Sequence, residues 1–368
     1  MNYGIESQII ISDNLNTNNK KILSIIIPFF IINIIWFFYF YINDLFYLFS
    51  EKSESGFPRW IMSIVMLFGS MVAGATSEGG GSIAFPVMTL GMNISPIIAR
   101  DFSFMIQSVG MSSASFSILF MNLKLEYKSI LYSSLGGIIG IITGLEYIVK
   151  MIPTSFSKIY FVTIWGAFAF QLFLLNRDSD RVCFLDIQKY ETKKYENILI
   201  LFITGIIGGI LSSISGSGID ICVFSVLTLL FRINEKIAVP TSVILMSINT
   251  IFGFIYRGLV ESEISEESWK YFAVCIPVVV FGAPLGALIS SHLNRNTISY
   301  LIYFTDFFQF VTAYIIIQPW NIDVLLTLFS PLIFVFFCLL FYYLSYLGEK
   351  NIEEIDCDNQ ISIDVNDV

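Results

Sequence analysis

Apolar runs of about 20 residues recur along this chain from Ile22 almost to Leu347, and no stretch between them is long enough to hold a soluble domain. A helix of roughly 20 residues is what crosses about 30 Å of hydrocarbon, and inside a bilayer only helices and closed barrels satisfy their own backbone. The pattern therefore predicts an all-α polytopic membrane protein. Composition agrees: 55% of the 368 residues are apolar and only 13% charged, whereas soluble domains carry roughly 25% charged residues. The expected plan is a tail over 1–21, a transmembrane domain over 22–347 and an acidic tail over 348–368. Glu353, Glu354, Asp356 and Asp358 give that last tail the composition of a disordered segment. The first run, Ile22 to Ile42, follows Lys20 and Lys21 but is too long for a signal-peptide core, and no small-residue cleavage site follows it. It is read as a retained helix.

Several function classes fall away at this stage. Net charge is −9 and the basic residues stand singly or in pairs beside apolar runs, so no stripe exists to neutralise phosphates and nucleic acid is not an expected partner. The bilayer is. Five cysteines (Cys183, Cys222, Cys275, Cys338, Cys357) are scattered without a CxxC pair, which points to neither a zinc site nor a disulfide framework. The one histidine, His292, follows the end of an apolar run, so a serine or metal hydrolase inside the bundle lacks its base or its ligands. Gly216-Ser217-Gly218-Ile219-Asp220 misses the GxGD pattern of a membrane aspartyl protease by one residue, which turns the carboxylate by about 100° on a helix. The chain is expected not to be an enzyme.

Two of the long apolar segments are interrupted in corresponding places. The first reads Ser77-Glu78-Gly79-Gly80-Gly81-Ser82 and the second Ser215-Gly216-Ser217-Gly218, and neither run continues a helix without frustrating its backbone ladder. The segments beyond the two breaks also match: Ala99-Arg100-Asp101-Phe102-Ser103 against Ala238-Val239-Pro240-Thr241-Ser242, then Gly140 and Gly144 against Gly282 and Gly286. Two four-segment repeats are expected, about Trp60 to Asn176 and Ile198 to Ile317, each opening with a glycine-broken re-entrant or discontinuous helix, with one flanking helix at each end. The small-xxx-small pairs read most simply as helix contact faces. Orientation follows from the basic residues. With both broken segments re-entrant and the N-terminus cytoplasmic, 13 of the 20 basic residues lie inside and 6 outside, Arg100 being intramembrane. That split obeys the positive-inside rule and favours inverted repeats, with the loops Glu51 to Arg59 and Arg257 to Trp269 outside.

The stretch Gly74-Ala75-Thr76-Ser77-Glu78-Gly79-Gly80-Gly81-Ser82-Ile83-Ala84-Phe85-Pro86, followed by Ala99 to Ser103, resembles the glycine-rich signature of the sulfite exporter TauE/SafE family. A second copy is approximated by Gly205 to Val223 and Ala238 to Ser242, and the resemblance covers roughly Trp60 to Ile317. Glu78 ahead of the glycine triplet, the reduced second glycine set and Arg100-Asp101-Phe102 in place of small residues depart from the family pattern. The resemblance implies transport of small sulfur-containing anions, such as sulfite or an organosulfonate, without a cofactor. The host membrane is expected to be the plasma membrane or an endomembrane. A helix that restarts inside the membrane also presents free N–H groups to an anion. The candidate substrate-binding residues are Gly79, Gly80, Gly81, Ser82, Arg100, Ser103, Gly216, Ser217, Gly218, Thr241 and Ser242. Arg100 either faces the anion or pairs with a carboxylate; Ser103, Thr241 and Ser242 either serve the site or bond back to their own helix. Glu78 and Asp220 are candidate coupling carboxylates, or polar residues at a wet mouth. The contrasting function is a membrane scaffold or receptor that transports nothing.

Overall fold

The computed structural model describes residues 2–53, 56–76, 78–175, 184, 187, 194–318 and 324–366. Ser77 of the first glycine stretch and most of the loop from Arg177 to Asn197 lie outside the described residues. Among those described, every regular element is helical. The helices are α1 (Asn2–Ile42), α2 (Trp60–Ala75), α3 (Gly80–Pro86), α4 (Pro96–Phe120), α5 (Tyr127–Thr143), α6 (Thr154–Leu175), α7 (Lys194–Ser215), α8 (Ile219–Ser225), α9 (Glu235–Ile255), α10 (Glu266–His292), α11 (Arg295–Ile317) and α12 (Val324–Asn366). Among the described residues, seven spans are long and apolar enough to cross a bilayer. Both outer helices extend beyond their apolar runs: α1 begins at Asn2, and α12 continues through the acidic tail to Asn366. Between Gly348 and Asn366 the tail holds neither glycine nor proline to stop it.

Burial sorts the spans into a centre and a rim. In α4 and in the α9 span, 78% of the apolar window is buried, against 11% in those of α1 and α12, so α4 and α9 cross at the core and the flanking helices face lipid. Glycines set how closely the layers approach. A Cβ on Gly136, Gly140, Gly205 or Gly209 would overlap a backbone carbonyl of the facing helix in the α5–α7 pair, and one on Gly74 or Gly286 would do so in the α2–α10 pair. A Cβ on Gly282 would overlap Ser70 Oγ of α2. The helix-contact reading of the small-xxx-small pairs is correct. Around these rails, Phe85, Phe102, Phe168, Phe224 and Trp165 fill one continuous apolar core.

The two ends of the bundle differ in charge. At one end Arg59 pairs with Glu51 and, at 2.8 Å, with Glu267, joining the starts of α2 and α10, and Ser268 Oγ donates to Ile98 O, which adds the start of α4. At the other end Ser117 Oγ of α4 donates to Ser24 O of α1, and Lys21 Nζ donates to His292 Nε2 at the end of α10.

Candidate functional site

Both broken segments come apart where glycine and hydroxyl residues interrupt the apolar run. α2 stops at Ala75, with Thr76 extended and its Oγ1 bonded to Val72 O. The chain restarts at Gly80, where Gly79 O accepts both the N–H and the Oγ of Ser82. α7 stops at Ser215 through Gly216, whose φ of +82° lies in the left-handed region that a side chain would strain. α8 restarts at Ile219, whose N–H is taken by Ser212 Oγ at 3.0 Å. Each restarted helix runs seven residues and passes into a five-residue π turn, Val87–Gly91 in one and Val226–Leu230 in the other.

The two breaks meet at one carboxylate. Asp220 is fully buried; its Oδ2 accepts from Gly79 N at 2.7 Å and from Ser217 Oγ at 2.9 Å, and its Oδ1 accepts from Gly218 N at 2.8 Å. Donors from segments 141 residues apart thus converge on the same oxygens. Gln107, buried on α4, closes the seat from the side: its Nε2 donates to Gly216 O at 2.8 Å and to Ser103 O at 2.9 Å, while its Oε1 has no hydrogen-bond partner. A Cβ on Gly79 would overlap that Oε1 and Met246 Sδ, and one on Gly81 would overlap Gln107 Nε2. Gly80 differs, since a Cβ there would meet nothing nearer than Met66 Cε at 3.5 Å, an ordinary contact. A Cβ on Gly218 would lie 2.7 Å from Leu211 Cβ and 2.9 Å from Ser212 N, so this glycine also carries packing.

Two more carboxylates stand by the first break. Glu78 is 1% exposed and accepts from Thr305 Oγ1 of α11. Its backbone N–H is held by Thr76 Oγ1 at 3.2 Å. Asp306, next on α11, is fully buried; neither of its oxygens meets a donor at hydrogen-bonding geometry, and the carboxyl groups of Glu78 and then Asp220 act on it electrostatically.

The remaining candidates lie elsewhere or are engaged. Arg100 takes the carboxylate alternative: its Nε and Nη2 donate to Asp101 Oδ1 at 3.0 and 2.8 Å. Asp101 also accepts from Arg257 of the α9 span, at 3.0 Å on Oδ1 and 2.9 Å on Oδ2. Ser103 Oγ, Thr241 Oγ1 and Ser242 Oγ bond back to Ala99 O, Ile237 O and Val239 O of their own helices. Ser103 still touches the seat, because a Cβ on Gly216 would lie 2.5 Å from Ser103 Cβ. Thr241 turns to the loop before α5 and accepts from Glu126 N at 3.0 Å. No motif marks Gln107 or Met246, although Gln107 stands four residues beyond Ser103 and so on the same helix face. Among the described residues no cluster of histidine, cysteine or carboxylates has the spacing to hold a metal ion.

No curated protein and no solved structure matches the chain. A model of the family described as Sulfite exporter TauE/SafE matches residues 61–311, which takes in both broken segments, α4, α5, α9, α10 and most of α11. The chain is an integral, multi-pass membrane protein and belongs to the sulfite exporter TauE/SafE family of membrane transporters.

Proposed function

We propose that the chain is a secondary-type transporter of small anions, with sulfite or a related sulfur oxyanion as cargo, and that the cargo is held where the two breaks meet. The observation that carries this is the seating of Asp220: N–H groups from both breaks, with the Ser217 hydroxyl, already hold a carboxylate there. A carboxylate and a small oxyanion present similar oxygens to such donors. On this reading Asp220 occupies the seat when cargo is absent, and cargo displaces it. Gly79, Gly80, Gly81, Ser82, Gly216, Ser217 and Gly218 line the seat, Ser103 backs it, Thr241 and Ser242 shape α9, and Arg100 sits away from the cargo on Asp101, the carboxylate that Arg257 ties to the α9 span. Glu78 and Asp220 are the carboxyls that take up a coupling proton, since like charges crowded in a low dielectric repel and proton uptake relieves them. Asp306 joins them through Glu78.

The proposed mechanical frame is a pair of inverted repeats. Its support is a constant spacing of 139 residues between the starts of α3 and α8 (Gly80 and Ile219), α4 and α9 (Pro96 and Glu235), and α5 and α10 (Tyr127 and Glu266). The re-entrant path is supported by the start of α4 lying at the same end of the bundle as the starts of α2 and α10.

Efflux of radiolabelled sulfite from liposomes holding the purified protein tests the transport reading. Faster sulfite loss than from empty liposomes, competed by sulfate or an organosulfonate and not by an uncharged sugar, is the expected result. Equal loss from loaded and empty liposomes under both an imposed proton gradient and an imposed sodium gradient would refute it.

A further inference from the structure

A cavity of about 280 Å³ opens at the end of the bundle where α4 and α10 finish and α9 begins. Lys124 and Lys236 line it, together with Ser290 and Ser291. Neither lysine forms an ion pair among the described residues, and both are exposed. A third cation stands at the rim: Lys21 Nζ donates to His292 Nε2 at 2.9 Å, and His292 Nδ1 lies 3.2 Å from Ser291 Oγ. The nearby carboxylates Glu126 and Glu235 are buried and do not line the cavity. Gly74 and Ala287, at the close-packed α2–α10 contact, also line it. Gly74 stands five residues before Gly79 of the Asp220 seat, and Val239 and Pro240, which line the cavity too, immediately precede Thr241 and Ser242.

We propose that this cavity is a vestibule that binds a small oxyanion between Lys124, Lys236, Ser290 and Ser291 before it passes to the seat between the breaks. The inference rests on the transport reading above and adds a second, outer binding step to it. Two unpaired ammonium groups at the mouth of a low-dielectric cavity raise the local concentration of anions and deplete cations, an effect that salt screens. Ser290 and Ser291 supply hydroxyl donors, and the volume suits one hydrated oxyanion.

The test reads the cavity without relying on transport. In full-length Ser291→Cys, with labelling of the parent chain subtracted, the modification rates of negatively charged sulfonatoethyl methanethiosulfonate and positively charged trimethylammonioethyl methanethiosulfonate are compared at low salt, each divided by its rate with a small free thiol. The expected result is a preference of about tenfold for the anionic reagent. That preference should collapse in Lys124→Gln/Lys236→Gln, survive in Lys124→Arg/Lys236→Arg, and be competed by sulfate. Equal rates for the two reagents, a preference untouched by the glutamine pair, or no protection by sulfate would each overturn the vestibule. A second readout covers the case in which Ser291→Cys does not fold: in liposomes, Lys124→Gln/Lys236→Gln should raise the KM for sulfite severalfold at low salt, with the gap from wild type closing at high salt. An unchanged KM at low salt would overturn the proposal by that route. Wild type that moves no anion, yet keeps the charge-selective labelling and sulfate protection, would remove the transport reading and leave the binding cavity standing.

Discussion

Replacing Asp220 by alanine removes the one group on which the two breaks converge. Three donors, Gly79 N, Ser217 Oγ and Gly218 N, lose their acceptor. Hydrogen bonds to a charged group contribute about 1.5–3 kcal/mol each, so the three together represent roughly 5–9 kcal/mol of gross interaction. Stripping water from a buried carboxylate costs several kcal/mol, and Asp220→Ala escapes that term, which leaves a net loss of about 2–4 kcal/mol. The variant also gains something wild type lacks, an empty seat lined by three unused donors. Purified Asp220→Ala is therefore expected to melt below wild type in detergent, and sulfite or sulfate should recover much of the loss. An anion at 100 times its Kd restores about 2.7 kcal/mol. Wild type should respond far less, because its own carboxylate competes. Chloride and an uncharged sugar serve as controls. The reasoning is refuted if Asp220→Ala melts with wild type, or if oxyanions raise both melting temperatures equally.

Other perturbations probe neighbouring parts. Gly79→Ala should lower sulfite flux at least tenfold, because its Cβ overlaps Gln107 Oε1 and Met246 Sδ, while Gly80→Ala, with a 3.5 Å contact, should stay within about twofold of wild type; similar flux from the two would count against close packing at the seat. Asp101→Asn leaves two buried guanidinium groups, Arg100 and Arg257, facing a neutral amide and should destabilise the protein by about 3–5 kcal/mol. Arg100→Gln should do less harm, since Asp101 keeps Arg257; thermal unfolding of the two variants in parallel decides the order. For topology, a cysteine at Ser265 should react with an impermeant reagent added outside intact cells, and a cysteine at Lys236 only after permeabilisation. Reaction of both from outside would mean that α9 does not cross the membrane.

The parts of this molecule written into consecutive residues were legible in the sequence. Apolar runs announced the spans, glycine and serine marked the two breaks, and Gly140, Gly144, Gly282 and Gly286 announced helix contacts that the structure forms. The extents of α1 and α12 were not legible, because α1 begins long before its apolar stretch and α12 continues long after its own. The chemistry of the seat depends on contacts between distant segments, and there local pattern has no purchase. Asp220 was picked out as a polar residue beside a break, yet nothing near it in sequence points to Gly79. Asp306 stands 228 positions from Glu78 in the sequence, and only the packing of α11 against the first break brings the two together. Gln107 was passed over because one amide in a serine-rich helix looks like any other buried polar group. Arg100 illustrates a choice the sequence held open, anion or carboxylate, that geometry decides through Asp101.

The convergence on Asp220 also bears on how an unloaded carrier resets. After cargo departs, three donors inside the membrane would be orphaned at about 1–3 kcal/mol each, and a carrier burdened in that way resets fastest by taking up another anion. A carboxylate that swings back into the seat removes the burden, so on the proposed mechanism the empty protein completes its cycle alone and performs net export. Asp220→Ala should then behave as an exchanger: anion-for-anion counterflow persists in liposomes while net efflux falls. Loss of both in equal measure would mean that the carboxylate acts on the fold rather than on the return stroke.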